Sequence, residues 1–152
     1  MNMENEKEMN FDQSIKTTEP KNSIFKPTPA FVGASWFSLA IGLVAYCIGL
    51  WNAEMELNEK GYYFAVILFG LFSAISVQKC VRDRAEGVKV TDIYYGLSWF
   101  TTIASIVLLI IGLRNTDLLL SEKGFFGMSF CLALFAVIAV QKNIRDLSLF
   151  KN

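Results

Sequence analysis

Charged side chains divide the chain into four long uncharged stretches, residues 27–53, 61–78, 93–113 and 124–141, separated by short polar segments. At about 1.5 Å per helical residue, such stretches cross, or nearly cross, a hydrocarbon layer of about 30 Å. Lipid offers no hydrogen bonds to unpaired backbone groups, so a spanning segment must be a helix or a strand of a closed barrel. These stretches lack the strict alternation of barrel strands. The pattern predicts an all-α membrane protein with four transmembrane helices, over about 30–51, 62–78, 93–113 and 125–140.

Polar signals supply the boundaries. Residues 1–26 carry nine charges and no sustained hydrophobic period, which predicts a disordered tail. Pro27 and Pro29 suit a helix start, where the missing N–H would be unbonded anyway. Asn52 is expected to close the first span in a left-handed conformation, and Asn58 to cap the second helix with Glu59 in its first turn. The resulting organisation is a tail over 1–26, a first two-helix domain over 27–84, a linker over 85–92, a second two-helix domain over 93–147 and a short tail over 148–152. Within 141–152, Ile144, Leu147 and Phe150 recur every third residue, which predicts a helical continuation along the membrane surface.

The second half repeats the first. A constant shift of 63 residues, without a gap over some fifty positions, places Trp36 on Trp99 and Ile48-Gly49-Leu50 on Ile111-Gly112-Leu113. The same shift places Asn52 on Asn115, Glu59-Lys60-Gly61 on Glu122-Lys123-Gly124, and Leu71-Phe72 on Leu134-Phe135. It also carries Gln78-Lys79 to Gln141-Lys142 and Arg82-Asp83 to Arg145-Asp146. Each unit holds two spans, so both units enter the membrane from the same side and are parallel, not inverted, repeats.

Composition then sets orientation and excludes chemistry. The 14 Lys and Arg balance the 14 Asp and Glu, so there is no basic field to recruit nucleic acid. Eleven of those 14 cations lie in the tails and central linker; only Lys60, Arg114 and Lys123 lie in the two hairpin loops. The positive-inside rule therefore expects both termini in the cytoplasm. Trp51, Tyr62 and Tyr63 are expected in the outer aromatic belt and Tyr94 and Tyr95 in the inner one. With no histidine in the chain, the commonest general base and metal ligand are absent. Cys47, Cys80 and Cys131 form no C-x-x-C pair and read as small packing residues. No metal, cofactor or catalytic residue is assigned.

The string from Gly49-Leu50-Trp51-Asn52-Ala53-Glu54-Met55 through Leu57-Asn58-Glu59-Lys60-Gly61-Tyr62-Tyr63-Phe64-Ala65-Val66 resembles the YiaA/YiaB two-helix-domain family. The likeness covers about residues 29–147, in both copies of the domain, and implies a bacterial inner-membrane, multi-pass protein; it brings no reaction with it. The second copy has Arg114 for Trp51 and Leu119 for Glu56.

The remaining candidates are the polar residues that recur in both halves: Asn52, Glu59, Lys60, Gly61, Gln78, Lys79, Arg82 and Asp83 in the first, and Asn115, Glu122, Lys123, Gly124, Gln141, Lys142, Arg145 and Asp146 in the second. Lys79 is spaced to pair with Asp83, and Lys142 with Asp146, along a helical face. Gln78 and Gln141 read as interfacial groups at helix ends. Glu54, Glu59, Asp117 and Glu122 would approach one axis if the repeats are related by a twofold. Small residues at Ala30, Ala34, Ser38, Gly42, Ala45 and Gly49, and at Gly70 and Ala74, read as helix-packing faces within the protomer, with a homodimer or another membrane protein as the competing partner. A structural or interaction protein in the lipid bilayer is the favoured class. A small transporter or channel lined by Ser35, Ser38, Ser98, Thr101 and Thr102 is the alternative.

Overall fold

A computed structural model describes residues 26–150. The described residues form four α-helices, α1 (Pro29–Asn52), α2 (Leu57–Ala85), α3 (Asp92–Asn115) and α4 (Leu120–Ser148), each long and apolar enough to cross a membrane. Tail residues 1–25 and residues 151–152 lie outside the described residues. α1 and α3 have 24 residues and α2 and α4 have 29. At the helical rise these are about 36 Å and 44 Å, so the longer pair reaches about 14 Å beyond a 30 Å hydrocarbon layer. That excess carries the Lys, Arg and Asp residues at the linker end. Ile144 and Leu147 lie on α4 itself, which runs unbroken to Ser148.

Local chemistry fixes the ends. Thr28 caps α1 by accepting from the Phe31 N–H at 3.3 Å, with Pro29 in the first turn. Asn52 stays helical, and among the described residues no non-glycine residue has positive φ. The expected left-handed closure is replaced by extended Ala53, whose N–H donates to the Gly49 carbonyl at 2.9 Å, while the Asn52 amide donates to the Ile48 carbonyl. Asn58 is likewise not the cap of α2. The cap is Glu56, two residues earlier, with Glu59 accepting from the Glu56 N–H at 3.0 Å, and Glu122 does the same for the Leu119 N–H at 2.8 Å. After α2, Gly87 takes φ of 75°, which L side chains rarely adopt, and the Val88 N–H turns back to the Asp83 carbonyl.

The repeats interlock. α1 packs mainly on α4, α3 mainly on α2, and α2 meets α4 across the middle; α1 touches its own sequence neighbour α2 lightly. The shift of 63 exchanges α1 with α3 and α2 with α4, so the two cross-repeat pairs are copies of one interface. Tyr63 and Phe126 are each other's repeat mates, and their rings stack at 5.9 Å and 20°, marking the pseudo-twofold axis.

Glycines allow the close approach. A Cβ on Gly49 would lie 2.6 Å from the Phe125 ring, and one on Gly112 would lie 2.7 Å from the Tyr62 ring, the same contact in each copy. Gly42 faces the backbone of Ala133, and Gly70 faces Phe130. Gly42, Gly49 and Gly70 thus pack within the protomer, whereas Ala30 and Ala34 are exposed.

The core has two halves. Toward the hairpin loops it is aromatic and aliphatic, with Tyr46, Tyr63, Ile67, Phe126 and Phe130 buried together. Toward the linker it is built from small polar groups. Asn143, 1% exposed, donates to the Ser35 hydroxyl at 3.0 Å between α4 and α1. The repeat-equivalent contact is Cys80 with Ser98 at 3.5 Å between α2 and α3.

Candidate functional site

Two of the cavities at the hairpin-loop end are repeat copies. One, about 210 Å³, has Asn58, Glu59, Tyr62 and Tyr63 from the start of α2 on one wall and Gly112, Asn115 and Thr116 from the end of α3 on the other. In the second, about 270 Å³, Ser121, Glu122, Phe125 and Phe126 of α4 face Gly49, Asn52 and Ala53 at the end of α1. Every lining residue of one has its counterpart in the other at the shift of 63. The recurring Asn and Glu of different repeats therefore line one cavity, Asn115 with Glu59 and Asn52 with Glu122.

This arrangement revises two expectations. Glu59 and Glu122 belong to separate cavities and each holds a helix-start N–H, and among the described residues no cluster of metal-binding side chains forms. Tyr62 and Tyr63 do not join the outer aromatic belt. They turn inward opposite Gly112, where Tyr63 is 2% exposed and the Tyr62 hydroxyl donates to the Leu108 carbonyl at 2.6 Å. Trp51, in contrast, is 84% exposed at the end of α1. The Lys60 ammonium donates to the Trp51 carbonyl at 2.9 Å, and no side chain or backbone crowds Gly61 or Gly124.

The cavities differ in their oxygen content. Tyr62, Tyr63 and Thr116 in the first correspond to Phe125, Phe126 and Ala53 in the second, so the first carries three side-chain hydroxyls and the second one, that of Ser121 in the place of Asn58. The Tyr63 hydroxyl is buried and has no hydrogen-bond partner among the described residues. Sequence reading did not single out Tyr63 or Thr116 as site residues. The available signal was the recurrence of a glycine in one helix of each repeat together with an aromatic pair in the other helix.

At the linker end the other repeated residues form an ionic knot across the axis. Arg145 of α4 donates to Asp83 of α2 at 3.2 Å and also pairs with Glu86. Lys142 pairs with Asp146 at 2.9 Å, as the spacing expects. Asp83, in contrast, is engaged from the other repeat by Arg145. Arg82, the repeat mate of Arg145, has its Nε and Nη1 buried without a partner among the described residues, as is Gln78 Oε1. Burial, and next the Arg145 charge, lower the Arg82 guanidinium below its ordinary pKa against the pull of Asp146 and Asp83. Lys79 is exposed and Gln141 half-buried. Arg84 pairs with Asp92 across the linker and lies 3.9 Å over the Tyr95 ring.

Four of the hydroxyls considered for a pore are engaged in helix contacts. Ser35 lies between α1 and α4 and Ser98 between α2 and α3, while Thr101 and Thr102 donate to carbonyls of their own helix. Of the cysteines, Cys80 is buried, and Cys47 and Cys131 are exposed on the apolar helix surface.

Comparison with known proteins follows the same twofold layout. The yiaA/B two helix domain matches twice, over residues 31–83 and 94–146, again a shift of 63. The chain is 58% identical to "Inner membrane protein YiaA" of Escherichia coli (strain K12) over 125 residues, 82% of this chain and 86% of that protein. It is 47% identical to "Uncharacterized membrane protein YubF" of Bacillus subtilis (strain 168) over 60 residues, 39% of this chain and 69% of that protein. No solved structure matches. Four spanning helices in two copies of the domain, and the extent of both alignments, place the chain in the YiaA/YiaB two-helix-domain family of membrane proteins.

Proposed function

We propose that this protein is a non-catalytic structural or interaction component of the bacterial inner membrane, with both termini and the central linker in the cytoplasm and the hairpin loops outside. The observation that carries the reading is the filled centre. Tyr46 meets Phe126 edge-on at 5.3 Å, Tyr63 stacks on Phe126, and Phe130 closes on Tyr46 at 6.4 Å, so aromatic rings occupy the axis where a solute path would run. The uneven distribution of Lys and Arg supports the orientation. The cytoplasmic ends of α2 and α4 bring the Arg-Asp pairs of both repeats together, with Lys79 and Lys142 exposed beside them, a suitable footing for a neighbouring protein or for lipid headgroups.

In-cell crosslinking from the Glu-Lys-Gly loops and from the Arg-Asp ends tests this reading. Reproducible neighbours, including a second copy of the chain, are the expected result. Solute flux through the purified protein in reconstituted vesicles overturns it in favour of a transporter. The orientation is checked with alkaline phosphatase fused after Asn152, which is expected to stay inactive; high periplasmic activity refutes the cytoplasmic placement.

A further inference from the structure

We propose that the cavity between the start of α2 and the end of α3 binds a primary ammonium group, carried either by a phosphatidylethanolamine headgroup or by a small free amine. Its unpaired buried oxygen is the first reason. The Tyr63 hydroxyl has no partner among the described residues although Tyr63 is 2% exposed, and leaving such a group unbonded is destabilising. Packing does not require that oxygen, because Phe126 fills the equivalent place around the other cavity. Hence the first cavity carries a hydroxyl oxygen whose lone pairs can accept from a bound donor and that the fold does not use.

The other walls select the sign and shape of the ligand. An ammonium group has three donors and no acceptor. The cavity offers the Glu59 carboxylate, the carboxamide oxygens of Asn58 and Asn115, the Thr116 hydroxyl and the lone pairs of Tyr63. Glu59 gives one oxygen to the Glu56 N–H and retains acceptor capacity, and it lines the same cavity as Tyr63. The Tyr62 and Tyr63 rings, set edge-to-face at 5.4 Å, add faces that attract a cation. Five carboxylates, Glu54, Glu56, Glu59, Asp117 and Glu122, surround this end against three cations, and Lys60 is already held by the Trp51 carbonyl. A divalent metal fits poorly, because Glu59 is the one carboxylate in the lining. The volume of about 210 Å³ accommodates an ethanolammonium group. The proposal goes beyond the functional reading above and depends on neither its orientation nor its non-catalytic class.

The full chain in phosphatidylcholine nanodiscs containing small equal amounts of phosphatidylethanolamine and phosphatidylglycerol, followed by native mass spectrometry, measures which lipid stays bound. Phosphatidylethanolamine is expected to be retained about tenfold over phosphatidylglycerol, the scale of one charge-assisted hydrogen bond. Glu59→Gln keeps the helix-start hydrogen bond and removes the charge, and is expected to abolish the preference. Tyr63→Phe copies the other repeat and is expected to reduce it severalfold, while Glu122→Gln leaves it unchanged. Calorimetric titration of ethanolamine into nanodiscs of phosphatidylcholine alone separates the sources. Heat that disappears in Glu59→Gln assigns the site to a free amine as well, and lipid retention without such heat assigns it to the headgroup. Equal retention of all lipids with no heat overturns the proposal, as does a preference that survives both Glu59→Gln and Tyr63→Phe.

Discussion

Replacing Gly42 by alanine adds one methyl group where α1 crosses α4, and the surroundings leave it nowhere to go. An ideal Cβ at Gly42 lies 2.9 Å from the Ala133 backbone nitrogen, 3.1 Å from its Cα and 3.2 Å from its Cβ. Comfortable separations are about 3.5–4.0 Å, so the helices must part by roughly half an ångström. The obstructing atoms are mostly backbone, so no side-chain rotation relieves the contact. α1 has to move as a body, loosening Tyr46 and Leu50 in the core. Overpacking of this kind costs about 1–3 kcal/mol, offset by about 0.5–1 kcal/mol of intrinsic helix preference for alanine over glycine. The net expectation is a loss of about 1–2 kcal/mol, or about a 5–30-fold shift toward unfolding. Reversible unfolding of the purified protein in mixed micelles, followed by circular dichroism against increasing SDS, reads this shift. Gly127→Ala, where a Cβ meets nothing within 4 Å, is the control and is expected to be neutral or slightly stabilising. If Gly42→Ala is as stable as Gly127→Ala, the close crossing of α1 on α4 is wrong.

The same assay separates the two copies of the aromatic contact. Gly112→Ala is expected to destabilise more than Gly49→Ala by about 1 kcal/mol, because Tyr62 is tied to the Leu108 carbonyl and Phe125 is free to yield; equal losses would refute that difference. Ser35→Ala strands the Asn143 amide and is expected to cost about 1–3 kcal/mol, whereas Asn143→Cys, which reproduces the Cys80 contact with Ser98, costs less. Arg145→Gln should lower the melting temperature by releasing Asp83 and Glu86, and Arg82→Gln should leave it unchanged or raise it; the reverse order would contradict the ionic arrangement at the linker end. Residues 1–88 and 89–152 made as separate polypeptides in one cell are expected to co-purify, since α1 packs on α4 and α3 on α2; two independently stable monomeric halves would refute the interlocked packing.

The spans and the repeat were legible because membrane insertion is governed by charge-free length, and the shift of 63 preserves whole strings such as Glu59-Lys60-Gly61 and Glu122-Lys123-Gly124. The pairing of helices was not legible. A spanning helix is apolar toward lipid and toward its neighbours alike, so hydrophobicity gives no direction to a face. Tyr62 and Tyr63 show the difficulty: next to a loop they satisfy the rule for an interfacial belt, yet the missing side chain at Gly112 draws them inward. Helix-end chemistry was partly readable. Glu59 and Glu122 were recognised as helix-start residues, but the residues whose N–H groups they hold, Glu56 and Leu119, share no side-chain chemistry to announce a cap. The candidate residues were recognisable as a repeated set, while their division into loop-end cavities and a linker-end ionic knot depended on contacts between α2 and α3, α1 and α4, and α2 and α4.

Interlocking also imposes an order on biosynthesis. Translation delivers α1 and α2 to the membrane while the helices that cover them are still unmade, and α1 finds its main partner only after α4 has emerged. The first hairpin must therefore persist for a time with Gly42 and Gly49 uncovered, held by contacts such as the Tyr46 hydroxyl on the Tyr63 carbonyl, while α3 can settle on α2 as soon as it is inserted and α1 waits for α4. A ribosome that stalls between the repeats would release an inserted but unassembled pair of helices, recognisable to membrane quality control by the very surfaces that the second repeat later hides.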